Sequence, residues 1–167
     1  MSRTDFEQFH CPVAQAAAVL SDPWTMLVLR EAFSGTTRFS DFEKYLDIPK
    51  NTLTERLEHL VDHQVMEKEP LPPRGRRFAY RLTPRGRDLL TVVTAMRDWS
   101  NRWVYGPGNE PVVMVHRATG KRVPPVRIRD ASGERMTPSE LVPKPGPGAD
   151  ESIKDRFRGA RPVRLSD

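Results

Sequence analysis

The sequence predicts a mainly α-helical fold with a small β-hairpin, arranged as a winged helix-turn-helix and followed by a C-terminal hairpin-like extension. Two observations support this fold class. Between Phe39 and Arg87, two short helical patterns precede two strand patterns that flank an arginine-rich turn. Nine of the sixteen prolines lie after Trp103, whereas the amphipathic periodicity is concentrated before it. We therefore divide the chain into a helical domain at 1–105, a hairpin extension at 106–142 and a Pro/Gly-rich linker with a charged tail at 143–167.

Charge and cysteine content narrow the possible functions. The formal net charge is +5 and the sequence pI is about 9.7, which permits a polyanionic partner without requiring one. The positive charge is focused, because the stretch from Arg74 to Arg87 contains six arginines and no acidic residue. A single cysteine excludes an intramolecular disulfide, and the polar N-terminus lacks the apolar stretch of a secretory signal. No apolar run reaches the roughly twenty residues of a membrane span, so we expect a soluble, cytoplasmic protein without a membrane partner.

Two short helices open the helical domain. Cys11-Pro12 precedes the first, whose apolar face consists of small residues. The second begins at Asp22-Pro23, because Asp accepts hydrogen bonds from the free N–H groups of the first turn and Pro is favoured at the first helical position. Ser34-Gly35 ends it. Its apolar residues recur at helical spacing and predict a core helix.

The next two helices form the predicted helix-turn-helix. Ser40 and Glu43 fit a capping box, so we expect the third helix to begin at Ser40 and to run to about Leu46. Asp47-Ile48-Pro49 breaks it, and a fourth helix follows at once. The core face of this fourth helix comprises Leu53, Leu57, Leu60 and Val61. Because the connection is so short, the two helices must cross steeply.

A hairpin and a long helix complete the domain. The patterns of Val65–Glu69 and Phe78–Leu82 predict the two strands that flank the arginine turn. Thr83-Pro84 then starts a long helix from Pro84 to Tyr105, which carries a broad apolar face. That face is large for a terminal helix.

The extension and tail are less regular. Val112–Val115 and Val126–Arg129 predict two further strands, and Thr137-Pro138-Ser139-Glu140 predicts a single helical turn. The segment from Pro143 to Asp150 is a linker rich in proline and glycine. We expect the charged end from Glu151 to Asp167 to be disordered.

Five segments, in the right order and with the right gaps, match a known family. They are Cys11–Val13, Trp24–Glu31, Arg38–Phe42, Leu53–Leu60 and Tyr80–Gly86. The chain therefore resembles the HxlR-type bacterial transcriptional regulators, which are small winged helix-turn-helix proteins. The resemblance covers Cys11 to Trp103, and it implies DNA binding by a dimer.

Two departures from the family pattern are informative. Pro49-Lys50-Asn51 stands where the family usually has Ser-Pro-Asn, so the serine cap of the recognition helix is absent. Some relatives carry a ribbon-like C-terminal hairpin with Cys-Gly knuckles suited to zinc. The corresponding places here are Thr119-Gly120 and Ser132-Gly133, which cannot supply thiolate ligands. We therefore expect a ribbon without metal ligands, with no metal and no cofactor.

A recognition helix lies in the major groove of DNA with its N-terminal residues at base edges, while neighbouring elements contact phosphates. We expect the fourth helix to contact DNA through Lys50, Asn51, Thr52, Thr54, Glu55 and Arg56. The wing and its approach would contribute Arg38, Ser40, Arg74, Arg76 and Arg77. Asn51 could bind adenine bidentately, and a phosphate is the better partner for Arg56. The alternative for the wing is a solvated turn whose arginines only maintain solubility.

The long helix and the first helix form the dimer in the family. The resemblance therefore implies a homodimer interface through Val13, Ala17, Leu89, Val93, Met96 and Trp103. A two-fold dimer places two recognition helices about one DNA turn apart or a multiple of it, which predicts an inverted-repeat operator. The alternative is that the apolar residues of the long helix pack only within the monomer.

Cys11 has two interpretations. It lies just before a helix, where the helix dipole favours the thiolate, and in relatives a cysteine at this position senses oxidants or electrophiles. The alternative is a small buried residue in the dimer interface, which the lack of a neighbouring basic residue other than His10 favours. We expect an effector that is either redox or an unknown small molecule.

The remaining motifs argue against catalysis. His59 and His63 are four residues apart on a helix, but the glutamate of the zinc-protease motif is missing, and surface histidines are the commoner explanation. No nucleophile motif or phosphate loop occurs in the sequence. We therefore expect not an enzyme but a homodimeric, sequence-specific DNA-binding transcriptional regulator, a repressor. The alternative is a winged-helix module that binds proteins instead of DNA, which acidic residues on the outer face of the fourth helix would favour.

Overall fold

The structure is a computed structural model that describes residues 6–72 and 77–158. The α-helices are α1 (Pro12–Leu20), α2 (Pro23–Phe33), α3 (Phe39–Leu46), α4 (Lys50–Asp62), α5 (Pro84–Asp88), α6 (Leu90–Ser100) and α7 (Glu151–Phe157). The strands β1 (Met66–Pro70) and β2 (Phe78–Leu82) form an antiparallel hairpin. This order confirms the predicted winged helix-turn-helix. Within the described ranges, no helix is both long enough and apolar enough to cross a membrane.

The core lies where α2, α3 and α4 meet. Phe42 of α3 is fully buried, as are Val28 and Leu29 of α2. On α4 the buried residues are Leu53, Leu57 and Leu60, which are spaced three or four apart and therefore share one helical face. The periodicity thus predicted the inward face of α4 correctly.

The turn between α3 and α4 has only three residues. Asp47 ends α3 in the left-handed conformation, with φ 50° and ψ 41°, a region that Asp tolerates better than most residues. Ile48 follows and is only 3% exposed. Pro49 then directly precedes α4. The buried Ile48 fixes the turn in the core and so sets the angle between the two helices.

The wing is attached to the rest of the domain at two places. In the middle of β2, the N–H of Tyr80 donates to the carbonyl of Thr37 at 2.7 Å, and Arg38 pairs with Ala79 as an isolated bridge. After β2, the Thr83 hydroxyl donates to the Gln64 carbonyl at 2.7 Å and accepts from the Gly86 N–H at 3.1 Å. The second contact is the predicted N-cap of α5.

The predicted capping box at Ser40 is wrong. Helix α3 begins at Phe39, and the extended residue before it is Arg38. The Ser40 hydroxyl lies inside the first turn and donates to Asp41 Oδ1 at 3.4 Å. Because Arg38 pairs with β2, the extended segment ends at Arg38 and the helix starts before Ser40.

The predicted continuous helix from Pro84 to Tyr105 is divided. Leu89, with φ −68° and ψ −8°, separates α5 from α6, and its N–H donates to the Gly86 carbonyl at 3.1 Å. Its side chain packs against the core. After α6, a π-helical turn at Asn101–Tyr105 continues to Gly106, whose positive φ of 84° ends the helix.

The extension differs from the sequence prediction. Neither predicted strand, Val112–Val115 or Val126–Arg129, forms in the part of the chain that the structure describes. Two isolated pairs, Val115 with Arg122 and Arg129 with Arg135, instead close two separate turns. Pro124 and Pro125 lie between them and cannot donate backbone hydrogen bonds, so a continuous ladder cannot form there.

The extension hydrogen-bonds to α6 and to the π-helical turn, and α7 is the last helix of the described residues. Asp98 accepts a hydrogen bond from the Val126 N–H at 2.7 Å, and the buried Asn101 donates to the Val112 carbonyl at 2.9 Å. The predicted single turn is present at Pro138–Glu140. The prediction of disorder from Glu151 is wrong for α7, because Asp150 caps a regular helix there. Residues 159–167 lie outside the described ranges.

Candidate nucleic-acid interface

The N-terminal turn of α4 presents polar side chains to solvent. The Lys50 side chain is 74% exposed and lies 3.8 Å from Glu43. Asn51 is exposed, and its amide makes no hydrogen bond to any described residue. Pro49 precedes the helix and provides no side-chain cap, so the first N–H groups of α4 keep their capacity to donate. This end of the helix is chemically suited to contact base edges and phosphates.

Two further predicted contact residues lie one turn along the same helix. The Thr54 hydroxyl donates to the Lys50 carbonyl at 2.9 Å, but the residue remains exposed. The Glu55 side chain is 67% exposed and lies 3.4 Å from Arg56. Thr52 is half-buried. Lys50, Asn51, Thr54 and Glu55 are therefore the accessible members of the predicted set.

Arg56 is the least accessible member of the predicted set. Its side chain is only 15% exposed and lies 3.4 Å from Asp22 Oδ2, while the other Asp22 oxygen accepts from the Thr25 N–H at 3.0 Å. Asp22 is therefore both the N-cap of α2 and the partner of Arg56. Arg56 connects α4 to α2 at the edge of the core, and its contact with DNA stays a prediction.

A cationic groove lies between the start of α3 and the wing. Its cavity volume is about 830 Å³, and it is lined by Arg38, Phe39, Ser40, Lys68, Leu71, Pro72, Arg77, Phe78 and Tyr80. The groove therefore brings together the predicted Arg38, Ser40 and Arg77 from segments that are far apart in the sequence. Arg74 and Arg76, the other predicted wing residues, lie outside the described residues.

Lys68 is a groove residue that the sequence analysis missed. Its Nζ lies 4.4 Å from the centroid of the Phe78 ring, and its cross-strand neighbour is Tyr80. The ring contacts orient the ammonium group along the groove wall. The alternation of side chains along β1 could have identified it, because even-numbered residues of this strand share one face.

The opposite face of the wing has its charges paired. Glu69 and Arg81 form an ion pair at 2.7 Å, and the register places Glu67 beside Arg81. The acidic residues of β1 therefore face away from Lys68, and the positive potential remains on the groove side. The groove thus contributes cationic side chains from the start of α3 and the wing, and α4 contributes a polar helix end.

Some residues of the predicted dimer interface are exposed and others are buried within the monomer. Val13, Met96 and Trp103 are 77%, 52% and 64% exposed, as apolar residues awaiting a partner would be. Val93 is instead 7% exposed within the core, and Leu89 is half-buried against it. These two residues therefore pack inside the monomer. Ala17 is half-buried.

Cys11 is the half-buried residue that directly precedes α1. The backbone N–H groups of Ala14 and Val13 lower the pKa of its thiol below the usual value, and the charge of Arg156 lowers it slightly further. Partial burial acts in the opposite direction. A larger share of this thiol is therefore thiolate at neutral pH than in an unstructured peptide.

The two helical histidines bond to the backbone. His59 Nε2 lies 3.0 Å from the Val19 carbonyl oxygen, and His63 Nδ1 lies 2.8 Å from the His59 carbonyl oxygen. Because a carbonyl oxygen only accepts hydrogen bonds, His59 Nε2 and His63 Nδ1 are the donors in these two contacts. Over residues 6–72 and 77–158, no group of three His, Cys, Asp or Glu side chains could hold a metal ion.

Comparison with known proteins gives a consistent result. The family model of the HxlR-like helix-turn-helix matches residues 19–106. An uncharacterized HTH-type transcriptional regulator of Mycobacterium tuberculosis, Rv3095, is 35% identical over 136 residues, which cover 81% of this chain and 86% of that protein. PA1607, a candidate transcription factor of known crystal structure, is 37% identical in sequence to this chain, with a TM-score of 0.77. The match covers 83% of this chain and 96% of the PA1607 chain. The redox regulator HypR, in its reduced form, is 27% identical in sequence to this chain, with a TM-score of 0.50. The match covers 56% of this chain and 96% of the HypR chain.

Proposed function

The chain belongs to the HxlR-like helix-turn-helix family of transcriptional regulators, and we propose that it is a homodimeric repressor that binds an inverted-repeat DNA operator. The observation that carries this proposal is the accessible, polar N-terminal end of α4, and the cationic groove between the start of α3 and the wing supports it. In this arrangement α4 enters the major groove, and Arg38, Lys68 and Arg77 contact the flanking phosphates. DNA is cytoplasmic in bacteria, so we place the protein there. Its role is binding rather than catalysis.

Sequence preference comes mainly from α4. Asn51 carries an amide with no partner among the described residues, and an amide of this kind binds the N6 and N7 edge of adenine bidentately. Lys50 can reach a guanine or a phosphate from the same turn. Glu55 repels phosphate, so it must face either a cytosine amine or solvent.

The dimer supplies symmetry. Exposed Met96 and Trp103 form an apolar surface on α6 and the π-helical turn, and Val13 of α1 is also exposed. We propose that two copies bury these residues against each other. A two-fold axis then presents two α4 helices to successive major-groove faces, so the operator is an inverted repeat. Repression follows where such an operator overlaps a promoter.

Gel-shift titration of the protein's own promoter region over a salt series tests this proposal. Arg77→Gln should weaken binding to all duplexes alike and reduce the salt slope by about one unit, because one phosphate contact is lost. Asn51→Ala should weaken binding to the preferred duplex by roughly 1–3 kcal/mol and leave nonspecific binding intact. Arg81→Gln is the matched control, since Arg81 pairs with Glu69 on the opposite wing face.

Two outcomes would contradict the proposal. An unchanged salt slope in Arg77→Gln would remove the wing from the interface. Equal affinity for the promoter and for an unrelated duplex, unaffected by Asn51→Ala, would exclude sequence-specific reading by α4.

We further propose that Cys11 makes the protein responsive to oxidants. The lowered pKa of its thiol supports this role, as does the similarity to the redox regulator HypR. Because each chain has one cysteine, diamide can form only an intermolecular disulfide, in which two thiols transfer two electrons and two protons to diamide. Diamide should therefore produce a covalent dimer on a non-reducing gel and change operator affinity. Cys11→Ser should abolish both effects, and unchanged affinity of the oxidised wild type would assign Cys11 a purely structural role.

A further inference from the structure

A cavity lies between the start of α1 and α7. Its volume is about 640 Å³, within the range of small-molecule sites in proteins. Pro12 and Val13 form one wall, and Ile153 and Phe157 of α7 form another. The linker from 143 to 149 supplies prolines, glycines and Lys144 to the remaining wall. The cavity is thus mainly apolar, and it is built by segments at opposite ends of the chain.

Two cations line this cavity without a carboxylate partner. Neither Arg156 nor Lys144 forms an ion pair or hydrogen bond with any residue that the structure describes. Two nearby cations are paired instead: Lys154 of α7 pairs with Glu151 at 2.8 Å, and Arg158, the C-cap of α7, pairs with Glu151 at 3.2 Å. Arg156 lies near enough to the Cys11 thiol for its charge to act on it. Arg156 and Lys144 are thus exposed cations that line the cavity.

Asp150, which follows the lining residue Ala149, has hydrogen-bond partners on both carboxylate oxygens. Asp150 Oδ2 lies 2.8 Å from His10 Nδ1, and Asp150 Oδ1 accepts from the Ile153 N–H at 2.9 Å as the cap of α7. The same contacts hold α7 against the segment that precedes α1. The pKa of Asp150 is lowered to about 2, mainly by the Ile153 N–H, so its carboxylate stays ionised at neutral pH. Arg156 and Lys144 together outweigh this one negative charge, so the cavity and its rim keep a net positive charge.

We propose that this cavity binds an organic anion with an apolar body, such as an aromatic carboxylate. Arg156 and Lys144 hold the carboxylate, while Val13, Ile153 and Phe157 contact the apolar body. The ligand bridges α7 and α1. Because α1 carries Val13, a residue of the proposed dimer interface, ligand binding changes operator affinity; this last step rests on the proposed function.

Calorimetric titration of the full chain with 2-naphthoate, without DNA, tests the site. The acid should bind saturably, and the neutral 2-naphthamide should bind at least about tenfold more weakly. Arg156→Gln should weaken naphthoate binding by about tenfold, the loss of one charge-assisted hydrogen bond, and Arg156→Lys should restore part of it. Arg158→Gln, at the C-cap of α7 and outside the cavity lining, is the matched control and should leave binding unchanged.

Alkylation of Cys11 reports the location independently. Iodoacetamide reacts with the thiolate, which forms a carbon–sulfur bond and expels iodide, and the product can be followed by mass because the chain has one cysteine. Since Cys11 lines the cavity, bound 2-naphthoate should slow alkylation several-fold, whereas 2-naphthamide at equal concentration should slow it much less.

The contradicting results are distinct from a failure of DNA binding. Absence of saturable binding at millimolar naphthoate, equal binding of the amide, or an unchanged constant in Arg156→Gln would overturn the anion site. Unprotected alkylation would place the ligand elsewhere and overturn the assignment. If naphthoate binds but leaves operator affinity unchanged in the gel shift, the effector role is wrong and the binding site stands.

Discussion

Gly86→Ala is expected to destabilise the junction between the wing and α5. A Cβ atom at this position would lie 2.0 Å from the carbonyl oxygen of Val65 and 3.2 Å from Leu82 Cδ2. A methyl carbon normally keeps at least 3.0 Å from such an oxygen, so about 1 Å of backbone movement is required. Val65 immediately precedes β1 and its carbonyl accepts from the Thr83 N–H at 3.1 Å, so the movement would separate the wing from α5.

Two opposing effects decide the magnitude. Alanine in place of glycine within a helix is normally favourable by up to about 1 kcal/mol. Overpacking of a buried position costs roughly 1–3 kcal/mol, and more where backbone rather than a flexible side chain must move. Because the obstructing atom is a backbone oxygen, the upper part of that range applies. The net loss is about 2 kcal/mol, or roughly 4–8 °C in Tm for a chain of this size.

Thermal denaturation followed by circular dichroism measures this loss, with urea denaturation as a second readout. Gly146→Ala is the matched control, because a Cβ there meets no atom within 4 Å and should change stability by less than about 0.5 kcal/mol. A Gly86→Ala protein with a Tm equal to or above that of the wild type would refute the close contact between α5 and Val65.

Three further predictions concern the α2 cap, the thiol and the dimer. Asp22→Asn keeps an acceptor for the Thr25 N–H but removes the charge facing Arg56, whereas Asp22→Ala removes both. The alanine variant should therefore be less stable than the asparagine variant by about 1 kcal/mol. Equal urea midpoints of these two variants would contradict the cap. The thiol of Cys11 should titrate, by thiolate absorbance, with a pKa below that of an unstructured cysteine peptide, because backbone N–H groups stabilise the charged form; a midpoint at or above the peptide value would contradict the geometry. Trp103→Glu should give monomers in light scattering at micromolar protein, because dimerisation would bury a carboxylate. Val142→Glu, at an exposed apolar site of the extension, is the control and should leave the dimer intact. A monomeric wild type would exclude the dimer.

Elements specified by neighbouring residues were predictable from the sequence. The inward face of α4 depends on residues three or four apart, and the caps at Asp22 and Thr83 depend on the next helical turn. These local signals do not need the fold to be known. The hairpin was also predicted, although β1 begins at Met66, one residue later than expected.

Features set by distant contacts were not predictable. Helix α3 starts before Ser40 because Arg38 pairs with a residue about forty positions later. Arg56 is directed inward by Asp22, which precedes a different helix. The hydrophobic pattern likewise could not divide Val93, which is buried, from Met96, which is exposed. In each case the decisive partner is remote in sequence.

The candidate site was predicted in its composition more than in its geometry. Arg38, Ser40 and Arg77 do converge on one groove, but Lys68 joins them only through the pairing of β1 with β2. The cavity between α1 and α7 could not be expected at all, because the sequence pattern predicted disorder for the segment that forms α7.

Selection of binding sites from random duplexes with the purified full chain tests sequence-specific recognition by a dimer most directly. The expected product is an inverted repeat whose half-sites are centred about 10–10.5 base pairs apart or a multiple of that. Asn51→Ala should relax the preference at one position of each half-site and leave the spacing unchanged. Recovery of no enriched sequence, or of a single unrepeated site bound by one chain, would contradict DNA recognition by a two-fold dimer.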